Sequence, residues 1–266
     1  MSQSPPVERS VRWKSLAAAY APGVVFVAFL LLTWEMAPRL GLVDRDLIPP
    51  MSEVLRGVPD VISDPDFGSD AFQSFQRWFV GLLAAAIVGV PLGILMGRFR
   101  PVFTLVNPLL SVAYATPKAA LVVILVLWFG VGLWSMGGVV FLGALLPITT
   151  ASYHGAAGVD GNYLWAARAL GTNRARVLPQ VVLPAALPQI LSGLRVATSL
   201  SILTLLGAEF LIRNRGIGTY LFNSMDLGLY ARMWSVTAIV AAAGFVLDSL
   251  FAWTVRVSFP WIEGEV

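Results

Sequence analysis

Apolar residues come in long blocks separated by short polar punctuation, and the blocks are too long for the core of a water-soluble fold. Ala17 to Met36 runs apolar after a charged start holding Glu8, Arg9, Arg12 and Lys14, and Pro38 closes it. Further blocks run from about Phe72 to Met96, stopped by Arg98 and Arg100, and from Val102 to Phe129, broken by Pro108 and Pro117. After the Gly130-Val131-Gly132 turn come blocks from about Met136 to His154, Leu187 to Leu211, and Trp234 to Val257. About 20 apolar residues cross the hydrocarbon layer of a bilayer as a helix. The pattern predicts an all-α, polytopic membrane protein with about six transmembrane helices.

Two stretches break the rule. Residues 38–70 hold Asp44, Asp46, Glu53, Asp60, Asp64, Asp66 and Asp70 against Arg39, Arg45 and Arg56, with Pro49, Pro50, Pro59 and Pro65, and read as a water-exposed segment. Within it, Ser52 is placed to cap a short amphipathic helix at the interface. Residues 159–184 are amphipathic, without a run long enough to cross. Asp160 is placed to cap a helix through Leu170, which Gly171 can end in the left-handed conformation. A second helical piece then carries Arg174 and Arg176, and Pro184 closes the segment. Ala166 and Ala167 give the first piece a small-residue face that can seat in a partner's groove; an interfacial helix anchored by Trp165 is the alternative.

The chain thus divides into a tail (1–16), a first transmembrane helix (17–37), a polar segment (38–70), a helical core (71–258) with its loop at 159–184, and a second tail (259–266). A cleavable signal would carry its small-residue site after the apolar block; here Ala17-Ala18-Ala19-Tyr20-Ala21 precedes it, so the first span is retained. An N-in, C-in arrangement puts Arg9, Arg12, Lys14, Arg98, Arg100, Arg168, Arg174, Arg176 and Arg256 inside, against Arg39, Arg45, Arg56, Arg213, Arg215 and Arg232 outside. This is the orientation that the positive-inside rule favours. It makes 159–184 cytoplasmic and 38–70 extracytoplasmic.

Composition agrees: 57% hydrophobic and 12% charged residues leave too little charge to cover a soluble particle of 266 residues, or to keep a chain disordered. The net charge of +3 is scattered rather than clustered, so no nucleic-acid partner is implied. With no cysteine and a single histidine, His154, neither thiolate nor histidine-based catalysis nor a zinc centre has material. No metal, cofactor or catalytic residue is expected. A membrane enzyme would have to rely on Glu209 and Asp248, which lie in different spans without a motif.

Within the spans, Gly89, Gly93 and Gly97 line one helix face, a spacing that packs helices within a chain or between subunits. Pro91, Pro108, Pro117 and Pro147 each remove a helix hydrogen bond, which is tolerated where protein or a water-filled cavity satisfies the freed carbonyl. Glu35, Arg77, Lys118, Arg195, Glu209 and Asp248 are ionisable groups at membrane depth. Such groups serve a path or snorkel to the surface. Lys118, Arg195 and Glu209 are the candidates for lining a translocation path. An ion-coupled carrier acting alone would draw on Glu35, Glu209 and Asp248.

The loop carries a family resemblance. Ala166-Ala167, three residues, Gly171, nine residues, then Val181-x-Leu183-Pro184 resembles the cytoplasmic "EAA" loop of the membrane subunits of bacterial ABC importers. Pro49-Pro50-x-Ser52, Pro117-x-Ala119, Leu127-Trp128-Phe129-Gly130, Gly193-Leu194-Arg195 and Gly216-x-Gly218 follow the pattern of the sulfonate, taurine and nitrate branch, from about residue 45 to the end. The resemblance implies a binding-protein-dependent permease in the bacterial inner membrane, with a coupling helix formed by Trp165, Ala166, Ala167, Arg168 and Gly171, and Leu183-Pro184 shaping the return into the membrane. It implies a second copy of the chain, two cytoplasmic ATP-binding subunits, an extracytoplasmic solute-binding protein and surrounding lipid as partners. ATP and Mg2+ would be held by the ATPases, since this sequence lacks a G-x-x-x-x-G-K-[ST] loop. The expected cargo is a small anion of the sulfonate, taurine or nitrate type; relatives for pyrimidine vitamin precursors or riboflavin-like compounds are the alternative. Trp165 departs from the pattern, standing where the family carries the motif's glutamate.

Overall fold

The computed structural model describes residues 8–259; side chains at 8–20, 119, 174 and 175 are left out of the description. All of the 1–16 tail's side chains and all of the second tail but residue 259 lie outside the described residues. The described chain is helical throughout: α1 (Glu8–Arg39), α2 (Met51–Ser63), α3 (Pro65–Arg98), α4 (Arg100–Ala115), α5 (Lys118–Phe129), α6 (Leu133–Ala157), α7 (Gly161–Ala169), α8 (Arg174–Val177), α9 (Leu183–Ile212), α10 (Ile217–Asp226) and α11 (Tyr230–Ser258). Five helices are long and apolar enough to cross a membrane, and the bent pair α4–α5 makes a sixth when counted as one span.

The glycine stripe on α3 sets the bundle. A Cβ on Gly89 would stand 3.0 Å from Ile148 Cγ2, one on Gly93 2.5 Å from Ser152 Cβ, and one on Gly97 2.8 Å from Ala156 Cβ. Gly81 meets Gly137 and Val140 in the same way. The stripe therefore packs α3 against α6 within the chain. Low residue numbers on α3 meet low numbers on α6, so the two helices run parallel.

That direction decides what α4 and α5 do. Two parallel crossings start on the same face of the membrane, so the segment between them must cross back. The sequence anticipates one span over Val102–Phe129 with proline breaks; the structure shows two helices bent by 108°. Pro117 sits at the break as the residue capping α5, whereas Pro91, Pro108 and Pro147 lie inside helices. The pair still makes the return crossing, because α6 could not otherwise begin beside the start of α3.

From α6 onward the alternation is regular. Gly155 packs on Ala186 and Gly143 on Thr204, so α9 runs antiparallel to α6. Leu191 meets the Val255 region of α11, which returns the other way. At the far end α1 joins α2 and α11 through Trp34, whose ring centroid is 5.4 Å from that of Trp234 and whose indole N–H donates to the Pro49 carbonyl. One end of the bundle therefore carries α7, the ends of α3, α6 and α11, and the start of α9. The other carries α2, α10 and the start of α3.

Several boundaries move. Helix α3 starts at Pro65, inside the segment read as 38–70, because Asp64 caps it by accepting from the Asp66 amide. Ser52 does not cap α2 with its own side chain. Pro50 holds the cap position, and Glu35 accepts from both the Ser52 amide (3.0 Å) and hydroxyl (2.8 Å), so a carboxylate from α1 serves the orphan donors of α2. Pro184 does not end the amphipathic stretch either. It lies in the first turn of α9, and the helix runs on through it because α8 continues into α9 through a π-helical turn at Leu178–Val182.

Candidate functional site

The loop at 159–184 is built as a small platform on the α7 end. The Asp160 carboxylate accepts from the Asn162 amide and starts α7. Gly171, at φ +81°, ends it: its N–H donates to the Arg168 carbonyl and that of Thr172 to the Ala167 carbonyl. That pair of bonds is the glycine-dependent Schellman stop. Leu164 and Ala167 are buried in a cluster with Val177 and Val182, Ala186 and Ile190 of α9, Ala156 of α6 and Ile94 of α3. One short helix is thereby fixed to the ends of three spans.

This placement revises the expected small-residue face. Ala167 is buried and faces the bundle, while Ala166 and Ala169 are exposed. On a helical wheel the exposed alanines form the floor of the outward face, with Trp165 on one flank and Tyr163 and Leu170 on the other. Those three are 72%, 64% and 86% exposed. Arg168 is also exposed. Val182 is fully buried beside Leu183-Pro184, which begin the rigid length of α9.

The ionisable groups at membrane depth sort themselves by pairing. Arg77 of α3 and Glu209 of α9 form an ion pair at 2.9 Å, with the Glu209 side chain fully buried and that of Arg77 at 5% exposure. Glu209 also accepts from the Ser74 hydroxyl and the Gly218 amide, and Arg77 also donates to the Arg215 carbonyl. Gly216, at φ +123°, lies so close to the carboxylate that a Cβ there would overlap it. Glu209 is thus a tie between α3, α9 and the α9–α10 corner.

Arg195 and Asp248 form a bidentate pair between α9 and α11, at 2.7 and 2.8 Å, each about one-third exposed. Glu35 pairs with Arg39 at the end of α1. Lys118 differs. It stands at the α4–α5 break, its ammonium donating to the Tyr114 carbonyl (3.1 Å) and lying 5.7 Å from the centre of the Tyr114 ring. Among the described residues no carboxylate lies within ion-pair distance of it. Of the three path candidates, then, Lys118 is half-buried at a break, Arg195 is neutralised by a neighbour, and Glu209 is sealed in the bundle. The spacing of residues in the sequence named the charges but not their partners, which lie 53 to 132 positions away.

The opposite end carries a polar hollow of about 340 Å³ lined by Asp64, Asp70, Arg215, Tyr220, Asn223 and Arg232 among others. Asp64 accepts from the Tyr220 hydroxyl at 2.7 Å and pairs with Arg232. The Tyr220 hydroxyl and the Asp66 amide, with Arg232 nearby, hold the Asp64 carboxyl below its usual range. Burial and the same hydrogen bond push the Tyr220 hydroxyl up to about 12. The two groups tie the start of α3 to α10 and α11.

Residues 89–257 match the family described as the binding-protein-dependent transport system inner membrane component. The taurine transport system permease protein TauC of Escherichia coli is 29% identical over 97% of this chain and 96% of its own length. The nitrate import permease protein NrtB of a Synechocystis strain is 29% identical over 92% of this chain and 93% of its own. Among solved structures, an inward-facing form of the MetNI methionine ABC transporter shares the fold, with a TM-score of 0.64, 17% identity, and coverage of 78% of this chain and 96% of that one.

Proposed function

Because the chain belongs to the binding-protein-dependent transport family of inner membrane components, and is a multi-pass permease of ABC transport type, we propose that it forms the translocation path of an ATP-driven importer as a homodimer, coupled through α7 to two cytoplasmic ATPases. The observation that carries the coupling role is α7 itself. Tyr163, Trp165 and Leu170 stand exposed around a floor of alanines, while Leu164 and Ala167 lock the helix to α3, α6 and α9. Exposed side chains of that size on a polar loop favour burial in a partner. The anchoring transmits a push on α7 to three spans at once.

In this reading the α7 end is cytoplasmic and both termini share that side. ATP and Mg2+ sit on the partner subunits, and this chain hydrolyses nothing. Trp165, where the family pattern has glutamate, makes the contact by apolar packing instead of charge. The polar hollow between α3, α10 and α11 faces the solute-binding protein. The second copy is supported by α4 and α5. No residue of α4 is buried, and Leu105, Leu109 and Leu127 are 72%, 65% and 81% exposed. The cargo is a small anion, the class to which the named cargo of the nitrate relative belongs and to which the sulfonate group of taurine is chemically akin.

Co-expression with the ATPase of the same transport system, purification through a tag on this chain, and reconstitution with the solute-binding protein test the reading. The wild-type chain carries the ATPase through purification, and hydrolysis rises with loaded binding protein. Trp165→Ala combined with Leu170→Ser weakens the complex. Unchanged co-purification and unchanged stimulated hydrolysis in Gly171→Leu, which disrupts the stop of α7, would refute the coupling role.

A further inference from the structure

Among the ionisable groups that the bundle holds at membrane depth, charge is balanced everywhere but once. Glu35 has Arg39, Arg77 has Glu209, and Arg195 has Asp248. Lys118 has a carbonyl and a ring. Its depth follows from Tyr114, whose hydroxyl lies 3.1 Å from Thr150 Oγ1 on α6. Between Thr150 and the end of α6 at Ala157 the helix rises about 10 Å. The ammonium is folded back onto the break instead of stretched toward the membrane surface. An uncompensated charge at that depth is costly and calls for water or a counter-ion.

Arg195 offers a passing anion much less. Its guanidinium already gives two parallel bonds to Asp248, the strongest arrangement these groups have. An anion would have to displace the carboxylate and leave it unpaired. Around Lys118, by contrast, the neighbouring surface of α4 and α5 is exposed, and Tyr114, Thr116 and Ser111 supply hydroxyls near the break.

Resting on the permease reading above, we propose that Lys118, held at the α4–α5 break, is the cationic contact for a small oxyanion in transit, of the sulfonate or nitrate class, and that Arg195 is not. The ammonium supplies the charge, and the Tyr114 carbonyl it now serves is released when the anion arrives. The contact is a single point charge, not a bidentate fork. It therefore holds an anion weakly enough to let it leave, as a path requires.

The sequence contains two lysines, Lys14 and Lys118, which makes a direct test available. Reductive 13C-dimethylation keeps the lysine charge and gives each amine its own methyl signal. The labelled full-length chain, in nanodiscs of zwitterionic lipid, is titrated at constant ionic strength with sodium methanesulfonate, then sodium nitrate, with sodium gluconate as the bulky control. The Lys118 signal is expected to shift saturably with at least one of the two small oxyanions while Lys14 stays put. A Lys118 signal that does not move, or that moves with gluconate and with Lys14 alike, overturns the proposal and leaves Lys118 as a cap for the Tyr114 carbonyl. A shift that appears only when anionic lipid replaces zwitterionic lipid overturns it too, assigning the site to a headgroup. In the reconstituted importer, Lys118→Met lowers the apparent affinity of the transport step for anion by about ten-fold or more, the loss expected for a charge-assisted contact. Lys118→Arg recovers most of it, and both variants still bind the ATPase. Wild-type chain that fails to bind any ATPase would refute the permease reading alone, since the methyl shift needs no ATPase.

Discussion

The sealed pair between Arg77 and Glu209 makes a quantitative demand on the fold. Glu209 is fully buried and accepts from an arginine, a serine hydroxyl and a backbone amide. Arg77 answers with further bonds to the Arg215 carbonyl and Gln73. Removing one member leaves the other charge buried with no counterpart, and such a break costs about 3–5 kcal/mol. Glu209→Gln keeps the volume but turns an acceptor into a donor facing the guanidinium, so it belongs at the upper end of that range. Arg77→Met leaves the carboxylate two neutral donors and belongs at the lower end. In a chain of this size about 1 kcal/mol moves the unfolding midpoint by about 2–4 °C, so Glu209→Gln should lower it by on the order of 10 °C. The assay is thermal unfolding of purified protein in a mild detergent, followed by tryptophan fluorescence and by loss of monodispersity. The double variant Arg77→Met/Glu209→Gln should lose clearly less than the sum of the single losses, because no unpaired charge is left. A shift of under about 2 °C for Glu209→Gln, or strict additivity in the double variant, would refute the pair as the tie that closes the α9–α10 corner.

Other consequences follow from single contacts. Gly93→Leu forces a side chain into the Thr149–Ser152 backbone of α6, and should prevent stable insertion or strip the protein of its monodisperse peak; Gly23→Leu, with open space around it, should not. Gly171→Ala keeps the volume small but strains φ +81°, costing about 1 kcal/mol, seen as a small loss of thermal stability with an otherwise intact bundle. Because the folded Asp64 carboxyl titrates below its unfolded value, its contribution is complete above the ordinary carboxylate range and lost as pH falls through the folded value. Acid should therefore loosen the α3–α10 corner in wild type and change Asp64→Asn less. Tyr220 has the opposite sign: its folded value is raised, so its contribution is present below the ordinary tyrosine value of 10 and lost as pH rises through about 12. The difference absorbance at 295 nm between wild type and Tyr220→Phe should rise in that alkaline window; a midpoint near 10 would contradict the buried hydrogen bond to Asp64.

How much of this was legible in the sequence depends on whether the determinant was local. Hydrophobic block length, the Gly171 stop and the Asp160 cap each lie within one helix or its ends, and the structure has them where the pattern places them. The glycine stripe was legible as a packing face but not as a direction, and direction is what makes the α4–α5 pair a crossing. The partners of Arg77 and Arg195 were not legible, because pairing across 132 and 53 positions depends on how helices are rotated against each other. The same holds for Ala167. Periodicity puts it beside Ala166, yet only the contacts of Leu164 and Val182 decide which alanine faces inward. Ser52 shows the converse: a residue with the right chemistry for a cap is overruled when a carboxylate from another helix takes both its amide and its hydroxyl.

The long helix after the coupling loop joins these local facts into one mechanical unit. From Leu178 to Ile212 there is no break, the π-turn at its start being helical too. Its first turns hold α7 through Val182, Ala186 and Ile190, its middle holds α11 through Arg195 and Asp248, and its last turns hold α3 through Glu209 and Arg77. A displacement of α7 in the proposed importer would thus be delivered along a rod gripped at both ends. The α4–α5 pair is gripped far less. Val122 is its one buried apolar residue among those described, and the 108° bend is secured by few side-chain bonds. The rod and the bend both pack on α6, and Val122 of α5 shares a buried cluster with Leu205 and Ala208 of the rod. Lys118 stands at that bend, so the charge without a carboxylate partner lies on a loosely held part of the bundle. Arg195 and Glu209, which have partners, lie on the rod.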